Sequence, residues 1–229
     1  MLLQDILFSQ GFGTRYDCSE IVSRGEVSIC GVVHNDPLEK LDVENLEFSC
    51  FGKVWPYCEK AVIALHKPAG YECSMKPSAH PSVMTLLPSP LRRRNVQPVG
   101  RLDVDTTGLL IMTDDGQLQH RLIHPKRHVT KVYEVTCRHA VTEEMRQKLL
   151  SGVVLDDDPK PVFAQEVEIL DDYHIRLSLT QGKYHQVKRM IAACSNRCDG
   201  LHRSCFGAFK LPEDLKSGEW MWIRREDIV

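Results

Sequence analysis

Several things are missing from this sequence. No apolar run approaches the roughly 20 residues that a membrane-spanning helix requires, so no membrane partner is expected. The opening residues, MLLQDILFSQG, carry no basic cluster and place Asp5 inside the apolar part. That pattern is not a secretory signal, and a cytoplasmic location is the expectation. The nine cysteines form no Cys-x-x-Cys pair. Cys194 and Cys198 are near each other, but no second close pair or spaced histidine pair completes a zinc set. The expectation is reduced thiols and no metal. Repeats and low-complexity segments are absent too. A chain of 229 residues with 42% apolar and 26% charged residues is otherwise an ordinary globular sequence.

Net charge is also nearly absent, at −2, but its distribution is uneven. Residues 1–59 hold 4 Lys/Arg against 10 Asp/Glu, whereas 60–134 hold 11 against 6. Within 176–210, seven basic residues face Asp199 alone. Basic clusters on a near-neutral chain point either to a local polyanion site or to ordinary solvated surface.

The hydropathy pattern suggests α+β order. Leu3, Ile6 and Leu7 have helical spacing. Thr14 with Asp17 forms an acidic variant of a capping box, opening a helix that Gly25 ends. EVSICGVVHND then reads as a hairpin turning at Cys30-Gly31, and 46–51 is strand-like. Residues 52–60 read as a linker, giving domains at 1–56 and 60–229. In the second, AVIALHK and GLLIM read as buried strands, HVTKVYEVTCR as an alternating strand, and TEEMRQKLLSG as a helix capped by Thr142. Residues 162–170 and 173–180 read as strands joined by Asp171-Asp172, and GKYHQVKRMIAACSN as a basic helix.

One stretch, VGRLDVDTTGLLIMTDDG at 99–116, contains four acids: Asp103, Asp105, Asp114 and Asp115. With HKPAGYECS, KVYEV, LTQGKYHQVKRMI and LHRSCFGAFKL, in this order and spacing, it resembles the RsuA-type rRNA pseudouridine synthases over residues 60–229. The N-terminal part, GFGTRYDCSEIVSRGEVSICGVV, is similar to the S4 RNA-binding module that precedes the catalytic domain in that family. The resemblance implies a small S4-like α/β module plus a catalytic domain with a central mixed, mostly antiparallel sheet. It implies cofactor-free isomerisation of a uridine in 16S rRNA: the base is cut from its ribose at N1, turned and rejoined through C5. The alternatives are the same reaction on 23S rRNA and a non-catalytic rRNA-binding assembly factor. A monomer is expected, with ribosomal RNA as partner.

By position, Asp103 matches the family's catalytic aspartate, acting as nucleophile or as base at the sugar. Lys188 matches its basic partner, a counter-charge that keeps it ionised. Tyr133 matches the active-site tyrosine, and Leu179 gives an apolar wall for the base. Asp105, before Thr-Thr-Gly, reads as a turn-former accepting a local amide. Arg101 either holds the target nucleotide's phosphate or fills the gap left by the flipped base. Arg189, Lys67, Lys183, His185 and Arg203 are further RNA-contact candidates.

Two departures from the family stand out. His66 replaces the usual Asn. The N-terminal module has Leu2-Leu3-Gln4-Asp5 where the family has Arg-Leu-Asp-Lys, and keeps Arg15 and Arg24 in an acidic context. Such a module binds RNA weakly, orients the enzyme or contacts protein.

Overall fold

The computed structural model describes residues 1–156 and 158–228, excepting the side chain of Asp158. Two compact units result. One comprises residues 1–61 with 87–97, the other 62–86 with 98–229.

In the first unit, helices α1 (Leu3–Ser9) and α2 (Arg15–Ser23) bury Leu3, Ile6, Leu7, Cys18 and Val22. The capping box at Thr14 forms in both directions: the Asp17 N–H donates to Thr14 Oγ1 at 3.2 Å, and the Thr14 N–H to Asp17 Oδ2 at 2.8 Å. Strands β1 (Val27–Ile29), β2 (Val32–His34), β3 (Glu47–Cys50) and β4 (Lys53–Pro56) form a sheet in the order β2-β1-β3-β4. The β1–β2 turn has Cys30 at φ 50° and Gly31 at φ 79°, the two left-handed residues of a tight hairpin. Residues 53–56 are therefore not linker. Phe51 and Gly52, both at positive φ, turn them back onto β3, and Trp55 is buried in the process.

Helix α3 (Ser89–Arg93), which opens with Pro90 in its first turn, packs with this first unit. Arg94, just after it, donates to the Gln10 side chain and, at 3.1 Å, to the Glu59 carbonyl. Part of the Arg92-Arg93-Arg94 run thus holds backbone together.

The second unit is built on β5 (Val62–Lys67), the short β6 (Gln97–Pro98) on which the chain re-enters it, β7 (Thr107–Thr113), β8 (Lys131–Cys137), β9 (Val153–Leu155), β10 (Asp158–Val162), β11 (Glu166–Ile169), β12 (His174–Leu179), β13 (Cys198–Phe206), β14 (Phe209–Lys210) and β15 (Trp220–Trp222). Its helices are α4 (Gly116–Ile123), α5 (Glu143–Ser151) and α6 (Gln186–Ala193). The main sheet runs β11-β12-β8-β13-β7-β5-β15. The β13–β7 pair is parallel, and its neighbours along this path are antiparallel. This is the mixed, mostly antiparallel α+β sheet that the sequence suggests.

β5 and β7 carry continuous apolar runs because both faces are covered, as in buried central strands. Val62, Ala64, Leu109 and Ile111 pack with Leu118 and Leu122 of α4 in one core. Asp115 caps α4, its Oδ1 accepting the Gln117 and Leu118 N–H groups at 2.9 and 3.0 Å. The long strand β13, unassigned in the hydropathy pattern, fills the middle of the sheet. Its alternation is broken by register shifts after Cys198 and Arg203, which blur the period of two that a regular strand would show.

Candidate active site

Asp103 sits on the loop that enters β7, and this loop is tied down almost wholly through backbone groups. The Thr106 N–H donates to the Asp103 carbonyl at 3.1 Å, closing a tight turn, and the Gly70 N–H donates to the Val104 carbonyl at 2.7 Å. The Leu102 N–H points at Cys73 Sγ, 3.4 Å away. Lys67, fully buried at the end of β5, donates from Nζ to the carbonyls of Pro68, Val104 and Thr106 at 3.0, 3.2 and 2.8 Å. Burial depresses its pKa, against the nearby carboxylates of Asp105 and Asp103, which support the charged form. Lys67 is therefore not an exposed RNA contact. Its ammonium spends its three protons on the loop that presents Asp103.

α6 supplies the opposite wall. His185 stands just before it in the left-handed region, at φ 48° and ψ 32°, a conformation uncommon for a residue with a Cβ. The helix consequently starts at Gln186, later than the basic segment suggests. Residues three apart at a helix start share a side, so His185 and Lys188 both face the loop. Lys188 Nζ lies 3.3 Å from Asp103 Oδ2 and 2.6 Å from Asp105 Oδ1, and His185 Nε2 lies 3.3 Å from Asp103 Oδ1. The His185 ring stacks on Tyr184 at 3.8 Å between centroids. Sequence reasoning places His185 among the RNA contacts and misses its reach to Asp103, because its left-handed backbone has no signature in the residue pattern.

Asp105 also differs from expectation. Its carboxylate bonds Lys188, and the turn it was expected to close is closed by the Thr106 amide instead. Burial raises its pKa, but the Lys188 bond and charge more than reverse that and hold it below the usual aspartate value. Burial likewise opposes the charge on Lys188. The bond to Asp105 and the charge of Asp103 outweigh it and raise its pKa above that of a free lysine. One ammonium thus answers two carboxylates.

A small cavity of about 80 Å³ opens at Asp103. Tyr133 on β8 and Leu179 at the end of β12, both buried, line it with Arg101, Lys183 and His185. Thr106 lines it as well. Its buried hydroxyl, not among the residues singled out from the sequence, has no hydrogen-bond partner among the described residues.

The other candidates are placed differently. Arg189 points around the helix and donates to the Tyr184 carbonyl at 3.1 Å. Arg203 is 2% exposed, and its Nε donates to the Leu109 carbonyl at 2.8 Å, so it offers no exposed cation. Arg15, in the first unit, is exposed beside Asp5 at 3.4 Å and over the Phe8 ring at 4.3 Å. His66 accepts a place behind the loop: its Nδ1 bonds the Leu215 carbonyl at 2.8 Å, and its ring meets His202 edge-on. Among the described residues no cluster of His, Cys, Asp and Glu suited to a metal occurs.

A carboxylate held by an ammonium at the mouth of a cavity with an aromatic and an aliphatic wall defines a site for acid–base or nucleophilic work on a flat ligand. The chain belongs to the RNA pseudouridylate synthase family, whose pattern it matches over residues 61–193. Among particular proteins, it is 35% identical over 217 residues to ribosomal small subunit pseudouridine synthase A of Pasteurella multocida (strain Pm70), covering 94% of this chain and 93% of that protein. It is 40% identical over 165 residues to the protein of the same name from Yersinia pestis, covering 72% and 70%. A crystal structure described as a pseudouridylate synthase superposes with a TM-score of 0.70 and 33% identity, covering 100% of this chain and 98% of that one. No described helix is long and apolar enough to cross a membrane.

Proposed function

We propose that this protein converts a specific uridine of 16S rRNA to pseudouridine, with Asp103 as the group that acts at the ribose–base bond. The observation that carries this reading is the Asp103 carboxylate, 3.3 Å from the Lys188 ammonium in the wall of a cavity lined by Tyr133 and Leu179. Lys188 balances the carboxylate charge and orients it. Tyr133 offers a ring against which uracil stacks and a hydroxyl within the same cavity. Leu179 closes the apolar side, and Arg101 and Lys183 at the rim meet the RNA backbone. Asp103 attacks the sugar carbon or removes a sugar proton; either role needs a carboxylate at this position. The reaction uses no cofactor in this reading, and the protein works as a cytoplasmic monomer.

The strong likeness to small-subunit synthases supports 16S over 23S rRNA as substrate. The first unit, with its acidic balance and Arg15 partnered by Asp5, serves as an S4-like accessory module that orients the enzyme more than it adds affinity.

Incubation of the purified protein with 16S rRNA, followed by carbodiimide mapping of pseudouridine, tests the reading. One new pseudouridine is expected with the wild type and none with Asp103→Asn. Activity retained in Asp103→Asn removes the mechanism. Equal rescue of a deletion strain by wild type and Asp103→Asn points to an assembly factor instead.

A further inference from the structure

Beside the Asp103 cavity lies a larger one of about 710 Å³, well within the roughly 300–1,000 Å³ of typical small-ligand sites. Arg101, Tyr133, Gln181, Gly182 and Lys183 line both, so the two share a wall and lie next to each other. No carboxylate is found among the described lining residues, whereas Lys126, Lys131, Lys160 and Arg203 are.

Two of those cations are unusual. Arg203, 2% exposed, bonds the Leu109 carbonyl through Nε, but its Nη2 has no partner among the described residues. A buried guanidinium amine left unpaired is costly, and native interiors rarely tolerate one without a reason. Lys131 stands close by. Its Nζ donates to the Val129 carbonyl at 2.9 Å and lies 5.4 Å from the Phe206 ring centre, while Arg203 Cζ lies 5.2 Å from the same ring. Burial first, and the Arg203 charge second, hold the Lys131 pKa down to about 8. Two like charges therefore meet over one aromatic ring beside a cavity that supplies no described counter-ion. The cavity is also lined by the exposed apolar side chains Ile123, 48% exposed at the end of α4, and Pro125, with His124 between them and Lys126 beyond.

We propose that this cavity is a second nucleotide subsite, which takes the RNA residue adjoining the target uridine. Its phosphate lies against Lys131 above Arg203, and its base lies on Ile123 and Pro125. This rests on the reading of the Asp103 cavity as the uridine site, since the shared wall is what makes the two occupants neighbours on one strand. An anion there relieves the repulsion between Lys131 and Arg203. Ile123 and Pro125 offer apolar contact to any base face, so the subsite reads the presence and path of a neighbouring nucleotide more than its identity.

The test compares binding of uridine 5′-monophosphate (pU) and the 5′-phosphorylated diuridylate (pUpU) to the full chain by NMR titration. The readout is the ratio of the two affinities. A charge-assisted contact predicts a ratio of about ten or more in the wild type, collapsing toward one in Lys131→Met and in Lys160→Glu. Lys160 is exposed, so its variant serves if removal of Lys131 unsettles the fold. A wild-type ratio near one, or a ratio that neither variant lowers, overturns the subsite. Turnover of 16S rRNA is read separately. A collapsing ratio without turnover defeats the isomerase reading alone, and turnover with an unchanged ratio defeats the subsite alone.

Discussion

Lys188 lies closer to Asp105 than to Asp103, at 2.6 Å against 3.3 Å. Asp103, the proposed catalytic group, thus has the looser hold on the shared ammonium. Asp105 is largely exposed, with 72% of its side chain open to solvent, so its pair with Lys188 is partly screened. Lys188→Met leaves both acids without their cation and is expected to lower kcat on 16S rRNA by about 10²–10⁴-fold. Asp105→Asn frees Lys188 for Asp103 and is expected to cost less than about tenfold. A larger loss in Asp105→Asn than in Lys188→Met refutes this division of roles.

The same pair has a calculable pH signature. Asp105 has a folded pKa below its unfolded value, so its contribution to stability is present above the ordinary aspartate range and fades as pH falls through the depressed value. Lys188 has a raised folded pKa, so its contribution is present below the ordinary lysine value and is lost as pH rises through the raised one. The stability difference between wild type and Asp105→Asn, from urea melts, is expected to be flat from about pH 5 to 9. It is expected to shrink at the acid end first. A difference that peaks at low pH contradicts the assignment.

Lys67 supports the Asp103 loop from beneath. Lys67→Met leaves the carbonyls of Pro68, Val104 and Thr106 short of a donor in a buried place. The expected cost is about 3 kcal/mol in chemical denaturation, with a fall in kcat because the loop shifts. If Lys67 instead met RNA, the variant would keep its stability and raise KM alone.

Gly108 is where β7 meets β13. Its φ is +105°, and a Cβ there would sit 2.3 Å from the Arg203 carbonyl oxygen and 2.6 Å from the Arg203 nitrogen. Backbone cannot yield as a flexible side chain can. Gly108→Ala is expected to destabilise by about 3 kcal/mol or more, or to prevent folding. Gly116→Ala, at a position with open space around the built Cβ, is the control and is expected to change stability by less than about 0.5 kcal/mol.

The local devices were legible in the sequence because each is a short-range pattern. The Thr14–Asp17 capping box, the Cys30-Gly31 hairpin, the Thr142 cap and the apolar β7 run all rest on residues within a few positions of one another. The motifs around Asp103, Tyr133 and Lys188 likewise mark those residues as candidates in the sequence.

What only the tertiary structure decided are contacts whose partners lie far apart in the chain. Lys67 and Arg203 read as RNA contacts because Lys and Arg usually face solvent, but the sheet closes over both. Asp105 reads as a turn residue because the turn motif is local, while its actual partner, Lys188, is 83 residues away. The segment 53–56 reads as linker because its pairing depends on the positive-φ turn at Phe51-Gly52. Sequence alone thus marked the candidate residues for the chemistry and those helices and strands whose signals are local. Folding decided which charges stay in water, which hold the backbone, and which are left facing a cavity, because burial and long-range pairing fix a side chain's role only once the sheet has assembled.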